Sequence, residues 1–320
     1  MSAVTKLIHR VTTKVVGMEA VCDDVVAIEL SDPDGWRLPP FTAGSHIDVH
    51  LPNGAVRQYS LVGDPAEADR YRIAVRREDG GRGGSLCLHR DVAVGTILPV
   101  SLPRNHFGLA ATRRHVMIAG GIGITPFLSM IPEIERAGGD FELHFSSRSR
   151  ANTPFLKQLQ PLAESGRLTH YFSRERDPDR IDLPDVLNAA APEAHVYCCG
   201  PISLIHAVQE TAGALLPQDR LHVERFGPTD ATTGAAYSLE LARTGRRIEV
   251  PEGQTMLDAL RRAGIEMPAS CEAGVCLDCR TRFLDGVPVH RDLVMKTAER
   301  LQFLTPCVSG CSSATLVLDL

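Results

Sequence analysis

Four cysteines near the carboxyl end carry the clearest chemistry: Cys271-x4-Cys276-x2-Cys279, followed after 27 residues by Cys307. Four thiolates at this spacing can hold two irons bridged by two sulfides, the arrangement of plant-type [2Fe–2S] centres. Three ligands on one tight loop leave little room for side chains, and Ala273 and Gly274 meet that demand. Structural zinc is the rival reading, although zinc sites usually present two closely spaced cysteine pairs. Four unrelated thiols is the plain alternative. Cys311 competes for the fourth place, at a longer spacing that makes it the weaker candidate.

A second group of residues suits phosphates. Gly120-Gly121-Ile122-Gly123-Ile124-Thr125-Pro126 follows an apolar run and opens a helical stretch, where a glycine turn lets backbone amides approach a pyrophosphate. Its glycine spacing is not the usual Gly-x-Gly-x-x-Gly, so alone it reads equally as a tight strand–helix turn. Cys199-Gly200-Pro201 ends another strand of the same region, and ligands of open α/β sheets collect beyond such strand ends. Cys198 reads as a small buried hydrophobe. Nearer the amino end, Arg57-Gln58-Tyr59-Ser60 lies on a strand and Arg82-Gly83-Gly84-Ser85 opens a short helix. An arginine fork suits a phosphate, and a Gly-Gly-Ser turn offers it amides and a hydroxyl. Each is also an ordinary surface strand or turn.

These residues need three kinds of scaffold. Residues 1–106 hold six short β runs separated by turn signals such as Asp32-Pro33-Asp34-Gly35 and Pro52-Asn53-Gly54, which predicts an antiparallel barrel. From 107 to 228 strands and helices alternate, which predicts a parallel sheet covered on both faces. Residues 229–234 are small, polar breakers and read as a linker. Residues 235–320 begin with a hairpin and a short helix, hold the cysteine cluster, and end in a strand over Thr315–Leu320.

Composition narrows the function. The chain has 320 residues, 43% of them hydrophobic and 23% charged, a globular balance for two or three domains. A net charge of −5 with no long basic run gives no reason to expect nucleic acid. The longest uncharged stretch, Val116–Pro132, is interrupted by glycines and prolines and is too short for a spanning helix, so no membrane is expected. Lys6, His9, Arg10 and Lys14 break any signal-peptide core, so a reduced, cytoplasmic setting is expected. Five of the nine cysteines fall in the last 50 residues, too uneven for a disulfide framework.

Taken together and in order, Arg57-x-Tyr59-Ser60-Leu61, Gly83-Gly84-Ser85, the Gly120–Pro126 loop, Cys199-Gly200-Pro201, His222-Val223-Glu224-Arg225-Phe226 and the four cysteines resemble the phthalate dioxygenase reductase family, over essentially all 320 residues. The resemblance implies an FMN-binding barrel, a nucleotide domain of ferredoxin-reductase type and a fused plant-type ferredoxin. It implies that Arg57 and Ser85, with the amides of Gly83 and Gly84, hold the FMN phosphate. Tyr59 and Ser60 would line the flavin ring, with Ser60 near its N5, and Phe226 would cover the ring where nicotinamide enters. Thr125 and Cys199 would flank the nicotinamide, with Gly120, Gly121, Gly123, Gly200 and Pro201 at the pyrophosphate. Ser60, Cys199 and Phe226 are therefore the residues expected nearest the reacting atoms. No histidine is nominated as an acid or base, because the cofactors carry this chemistry.

The resemblance implies a monomeric reductase that takes a hydride from NAD(P)H and delivers single electrons to a Rieske-type terminal oxygenase acting on an aromatic acid. A cytochrome P450 partner is the alternative within that class, a redox-sensing protein is the alternative outside it, and a free-flavin reductase is a third reading. Phe172-Ser173-Arg174-Glu175 bears on the coenzyme: Ser173 and Arg174 look like the pair that grips a 2′-phosphate, with Arg148 and Arg150 adding charge, so residues lean to NADPH and family to NADH. NADH is the expectation. Leu277-Asp278 departs from the Gly and small residue that relatives often place between the second and third cysteines, and a leucine there would alter cluster exposure. With 10 basic and 11 acidic residues from Ala235 onward, the carboxyl module offers no one-signed docking face.

Overall fold

The period-two runs of the amino-terminal third do form a barrel. The computed structural model describes residues 10–67, 69–81, 83–176, 179–190, 193–226, 235–269, 272, 274, 277–292 and 294–320. The expected linker 229–234 and two of the cysteines, Cys271 and Cys276, lie outside these. Strands β1 (Arg10–Cys22), β2 (Val25–Ser31), β3 (His46–His50), β4 (Val56–Ser60), β5 (Tyr71–Arg76) and β6 (Ile97–Ser101) form one sheet in the order β4-β3-β6-β1-β2-β5. The edge strands meet through an antiparallel bridge between Leu61 and Ile73, which closes the barrel. Closure leaves no exposed edge, and Val15, Ile28, Leu30, Ile47, Val49, Ile73 and Val100 fill the interior. Strand β1 runs for 13 residues, longer than the short runs expected here, and pairs with both β2 and β6, with register shifts between Val15 and Gly17 and between Ala20 and Cys22. The bulges bend the strand around the barrel and scramble its sequence alternation. Helix α1 (Gly84–Arg90) crosses beside β5.

Strands β7 (Arg114–Gly120), β8 (Asp140–Ser147), β9 (Leu168–Phe172), β10 (His195–Gly200) and β11 (Leu221–Arg225) form the second sheet, ordered β11-β10-β7-β8-β9. Strands β10, β7, β8 and β9 pair in parallel. Helices α2 (Phe127–Arg136), α3 (Leu156–Glu164), α4 (Leu183–Ala189) and α5 (Ile202–Leu215) supply the crossovers. Val116, Ile118, Val196 and Cys198 point to the α4–α5 side, so Cys198 is the packing residue its sequence suggested. Barrel and second sheet belong to one compact unit, 1–224. They are tied by the Gly44 amide, which donates to Ser129 Oγ of α2 at 2.9 Å, and by Arg136 with Asp64.

The second unit, 225–320, contains β12 (Tyr237–Leu241), β13 (Arg246–Val250), α6 (Met256–Arg262), β14 (Thr281–Asp285), β15 (Pro288–Val289), α7 (Thr297–Arg300), β16 (Phe303–Leu304), β17 (Gly310–Cys311) and β18 (Thr315–Leu318). A mixed sheet runs β13-β12-β18-β14-β16, with β12 parallel to β18, and α6 packs its buried face on it. Thr255 caps α6 by accepting from the Asp258 amide at 3.0 Å.

One buried group makes folding pH-dependent. His46 on β3 is 2% exposed, and burial, with Arg104 and His106 nearby, pushes its pKa from 6.5 to about 3. The unfolded chain takes up a proton near 6.5 that the folded chain refuses, so stability is complete above that pH and declines as pH falls from 6.5 towards 3. Melting curves between pH 7 and 4 are expected to show a falling Tm whose slope flattens in His46→Gln; equal slopes would sink the assignment.

Candidate functional site

At the flavin side, β4 carries Arg57, Tyr59 and Ser60, and the turn before α1 carries Gly83, Gly84 and Ser85. The fold brings the two together. A Cβ on Gly84 would sit 2.6 Å from Arg57 Cγ and 2.8 Å from its Nε, so the arginine stem lies in a groove only glycine leaves open. Gly83 adopts φ 77°, a left-handed backbone suited to glycine. Ser85 Oγ accepts from the Glu78 amide at 3.0 Å. Tyr59 packs against the barrel core, and burial raises its pKa. Ser60 is 4% exposed, and its hydroxyl finds no hydrogen-bond partner among the described residues. A buried, orphaned hydroxyl is costly unless something pairs with it, and a flavin ring atom is such a partner. The residues therefore fit FMN. Gly84→Ala is expected to displace Arg57 and weaken FMN retention by about tenfold, the scale of one charge-assisted contact, measured by flavin release on dilution.

The nucleotide side lies at the carboxyl ends of β7 and β10. Gly121 takes φ 54° and starts a 3-10 turn to Ile124, after which Pro126 caps α2. Thr125, 2% exposed, returns its hydroxyl to the Ile122 carbonyl at 3.0 Å. The two loops touch through glycine. A Cβ on Gly123 would fall 2.2 Å from the Cys199 carbonyl oxygen, one on Gly120 would fall 2.6 Å from Pro201 Cδ, and one on Gly200 would sit 3.0 Å from Gly120. Cys199 is fully buried beneath this contact. Burial raises its thiol pKa well above the usual value, and Glu224 and Cys198 add to the effect, so it is a neutral wall rather than a nucleophile. Phe226 follows β11 directly and is half-buried.

Sequence reasoning passed over Arg76. It ends β5, bonds Glu78 Oε1 through Nε at 2.7 Å, and carries Nη1 3.5 Å from where a Gly121 Cβ would be. That puts a guanidinium beside the pyrophosphate loop. The only signal was an arginine at the end of a predicted strand, which any edge residue would give.

The loops that follow β8 and β9 run side by side and carry the arginines. Arg148 and Arg174 are exposed, and the Arg174 amide donates to the Arg148 carbonyl at 2.9 Å. Ser173 Oγ donates to the Ser147 carbonyl at 3.3 Å. Arg150 stacks 4.6 Å over the Phe172 ring, and Glu175 accepts from its amide at 2.8 Å.

In the second unit, Cys279 and Cys307 are each 3% exposed, with their sulfurs 3.3 Å apart. Two thiolates ~2.3 Å from one tetrahedral metal stand roughly 3.8 Å apart, so this pair is close to the spacing one metal imposes. Leu257 and Val308 surround them. Cys311 turns its sulfur to the Ser313 carbonyl at 3.2 Å. Three of the described residues before Cys279 take left-handed backbone. Gly274 has φ 72°, and a Cβ there would sit 2.7 Å from Val308 Cγ2. Glu272 (φ 48°) and Leu277 (φ 62°) adopt left-handed backbone without being glycine. Arg261 of α6 anchors Glu272 at 2.6 Å. The residues fit a [2Fe–2S] cluster, with Cys279 and Cys307 as buried soft ligands and Gly274 packed close to Val308.

Comparison with known proteins agrees with this geometry. The 2Fe-2S iron-sulfur cluster binding domain family matches residues 239–312, and the oxidoreductase NAD-binding domain family matches residues 117–210. The phenoxybenzoate dioxygenase subunit beta of Ectopseudomonas oleovorans is 43% identical over 302 residues, covering 93% of each chain. The solved structure of phthalate dioxygenase reductase, described as a modular structure for electron transfer from pyridine nucleotides to [2Fe–2S], is 37% identical with a TM-score of 0.81, covering 97% of this chain and 98% of that one. An intact type IV self-sufficient cytochrome P450 monooxygenase is 39% identical with a TM-score of 0.74, over 97% of this chain and 41% of that one. The chain is an oxidoreductase with a flavin barrel, a nicotinamide-nucleotide domain and a [2Fe–2S] module, and it belongs to the phthalate dioxygenase reductase family.

Proposed function

We propose that this chain, as a cytoplasmic monomer, takes electrons from NADH and delivers them one at a time to a separate terminal oxygenase. The observation that carries the proposal is the buried Cys279–Cys307 pair, 3.3 Å apart, in a chain that also holds an NAD-binding domain. Bound FMN supplies the conversion of a two-electron hydride into single electrons, which a [2Fe–2S] centre can accept.

The chain's own groups do the placing. Arg57, set against Gly84, offers its guanidinium to the FMN phosphate, and Ser60 offers its unpartnered hydroxyl to the ring edge. The backbone around Gly121 and Gly123 admits the coenzyme pyrophosphate closely, because no Cβ fills that space. Thr125 and the buried Cys199 would wall the nicotinamide end. No acid or base is required. Glu175 supports NADH: its carboxylate engages Arg150, which removes one cation from the positions that would grip a 2′-phosphate.

The dioxygenase relatives favour a Rieske-type acceptor that acts on an aromatic acid. A cytochrome P450 acceptor is the second reading, favoured by the P450 match over 97% of this chain. The test is an anaerobic titration with NADH and then NADPH, followed in the visible range. Bleaching of both flavin and iron–sulfur bands by NADH is expected. Bleaching of the flavin alone would sink the proposal, and a stronger response to NADPH would overturn the coenzyme assignment.

A further inference from the structure

Strand β7 has chemistry at both ends. Its carboxyl end carries the coenzyme loop, whereas its amino end opens into a cleft of about 450 Å³ that the reaction does not use. Gly120 lies five positions beyond His115, which places the two ends ~16 Å apart along the strand. The volume falls in the ~300–1,000 Å³ range of small-molecule sites.

The cleft lies between the segment that precedes β7 and the last turn of α2. Leu109, Ala110, Ile134 and Ala137 give it apolar walls, and three charged or titratable residues line it: Arg113, Glu133 and His115. Glu133 is engaged, its carboxylate accepting from the Ala43 amide at 3.3 Å. Arg113 is exposed, and its guanidinium makes no hydrogen bond or ion pair among the described residues. His115 is 3% exposed, and neither ring nitrogen forms a hydrogen bond of acceptable geometry there. Burial is the largest influence on its pKa and lowers it from 6.5, while the backbones of Asp140 and Ala110 act the other way.

A buried imidazole with both nitrogens unsatisfied is costly and marks a place where a polar atom belongs. The wall behind it is held in position: the Ala110 amide donates to Tyr197 Oη at 2.7 Å, and the Tyr197 ring packs on both His115 and Phe107. The unengaged cation at the mouth, not the engaged carboxylate, sets the charge preference. We propose that this cleft binds a small organic monoanion, an apolar body bearing one carboxylate, with Arg113 holding the carboxylate and His115 meeting a polar atom of the ligand at the floor.

The test uses the holoprotein with benzoate, benzamide and benzylamine as probes, by titration calorimetry with and without NAD+. Saturable binding of one benzoate per chain is expected, unaffected by NAD+ and tighter than for the amide or the amine. Arg113→Gln should weaken it about tenfold, the scale of one charge-assisted hydrogen bond. Ala137→Phe, at an exposed position on the rim, should block it, and both variants should reduce cytochrome c at the wild-type rate. Absence of saturable benzoate binding, displacement by NAD+, equal binding of benzylamine, or an unchanged affinity in Arg113→Gln would each overturn the proposal. Arg113 is exposed, so its variant carries the test even if Ala137→Phe fails to fold.

Discussion

Cys307→Ser is expected to lose the iron–sulfur absorbance and to slow NADH-dependent cytochrome c reduction roughly 100-fold, ~2.7 kcal/mol of barrier. The sulfur stands 3.3 Å from Cys279 in a pocket closed by Leu257 and Val308, and a hydroxyl there is a harder, poorer ligand for iron than a thiolate. Serine is nearly isosteric, so the module should keep its fold. Ferricyanide, which can draw electrons from reduced flavin directly, should still be reduced within about twofold of wild type. The matching control is Cys311→Ser. Its sulfur bonds to Ser313 instead, so iron and sulfide content should be unchanged. Loss of the cluster in Cys311→Ser with retention in Cys307→Ser would reverse the ligand assignment.

Gly123→Ala is expected to damage coenzyme use while sparing flavin. Its Cβ would meet Cys199 O at 2.2 Å, Cys199 C at 2.5 Å and Gly200 N at 2.7 Å, all backbone atoms that cannot rotate away. The two loops must part. Overpacking of this kind costs ~1–3 kcal/mol of stability, and the displaced amides no longer converge on a pyrophosphate. A fall of roughly 100-fold in kcat/KM for NADH is expected, again ~2.7 kcal/mol. FMN content should hold, because Arg57 and Gly84 lie on the barrel. Gly213→Ala provides the contrast: it sits in α5 with nothing within 4 Å of its Cβ position, so it should be neutral or stabilising. A Gly123→Ala enzyme with wild-type kcat/KM would show that the coenzyme phosphates bind elsewhere.

Much of this protein was readable in one dimension because its chemistry depends on local spacing. Cys271, Cys276 and Cys279 share one loop, and a loop around a cluster tolerates few residue types. The Gly120–Pro126 and Cys199–Pro201 loops each end an apolar run, which places them at strand ends without any knowledge of strand order. The parallel sheet followed from strand–helix alternation, and the barrel from turn-punctuated short runs.

Other features arise only when distant segments meet. The length of β1 was hidden, since bulges at Val15–Gly17 and Ala20–Cys22 shift its alternation, and only pairing with β2 and β6 restores it. Strand β14 was missed because Thr281–Asp285 mixes exposed charge with apolar residues and gains its place by lying between β18 and β16. Spacing along the chain does not tell Cys307 from Cys311, whereas in space it is the Cys307 sulfur that stands 3.3 Å from Cys279. Arg76 acquired meaning from the approach of β5 to Gly121, and Arg150 from Glu175 and Phe172. The cleft beneath β7 exists only because α2 and the segment before the strand fold over His115. Sequence determined which residue types were available, through backbone freedom at glycine and ligand softness at cysteine. Tertiary structure decided which of them stand within a few ångströms of one another, because burial and hydrogen bonding act through space rather than along the chain.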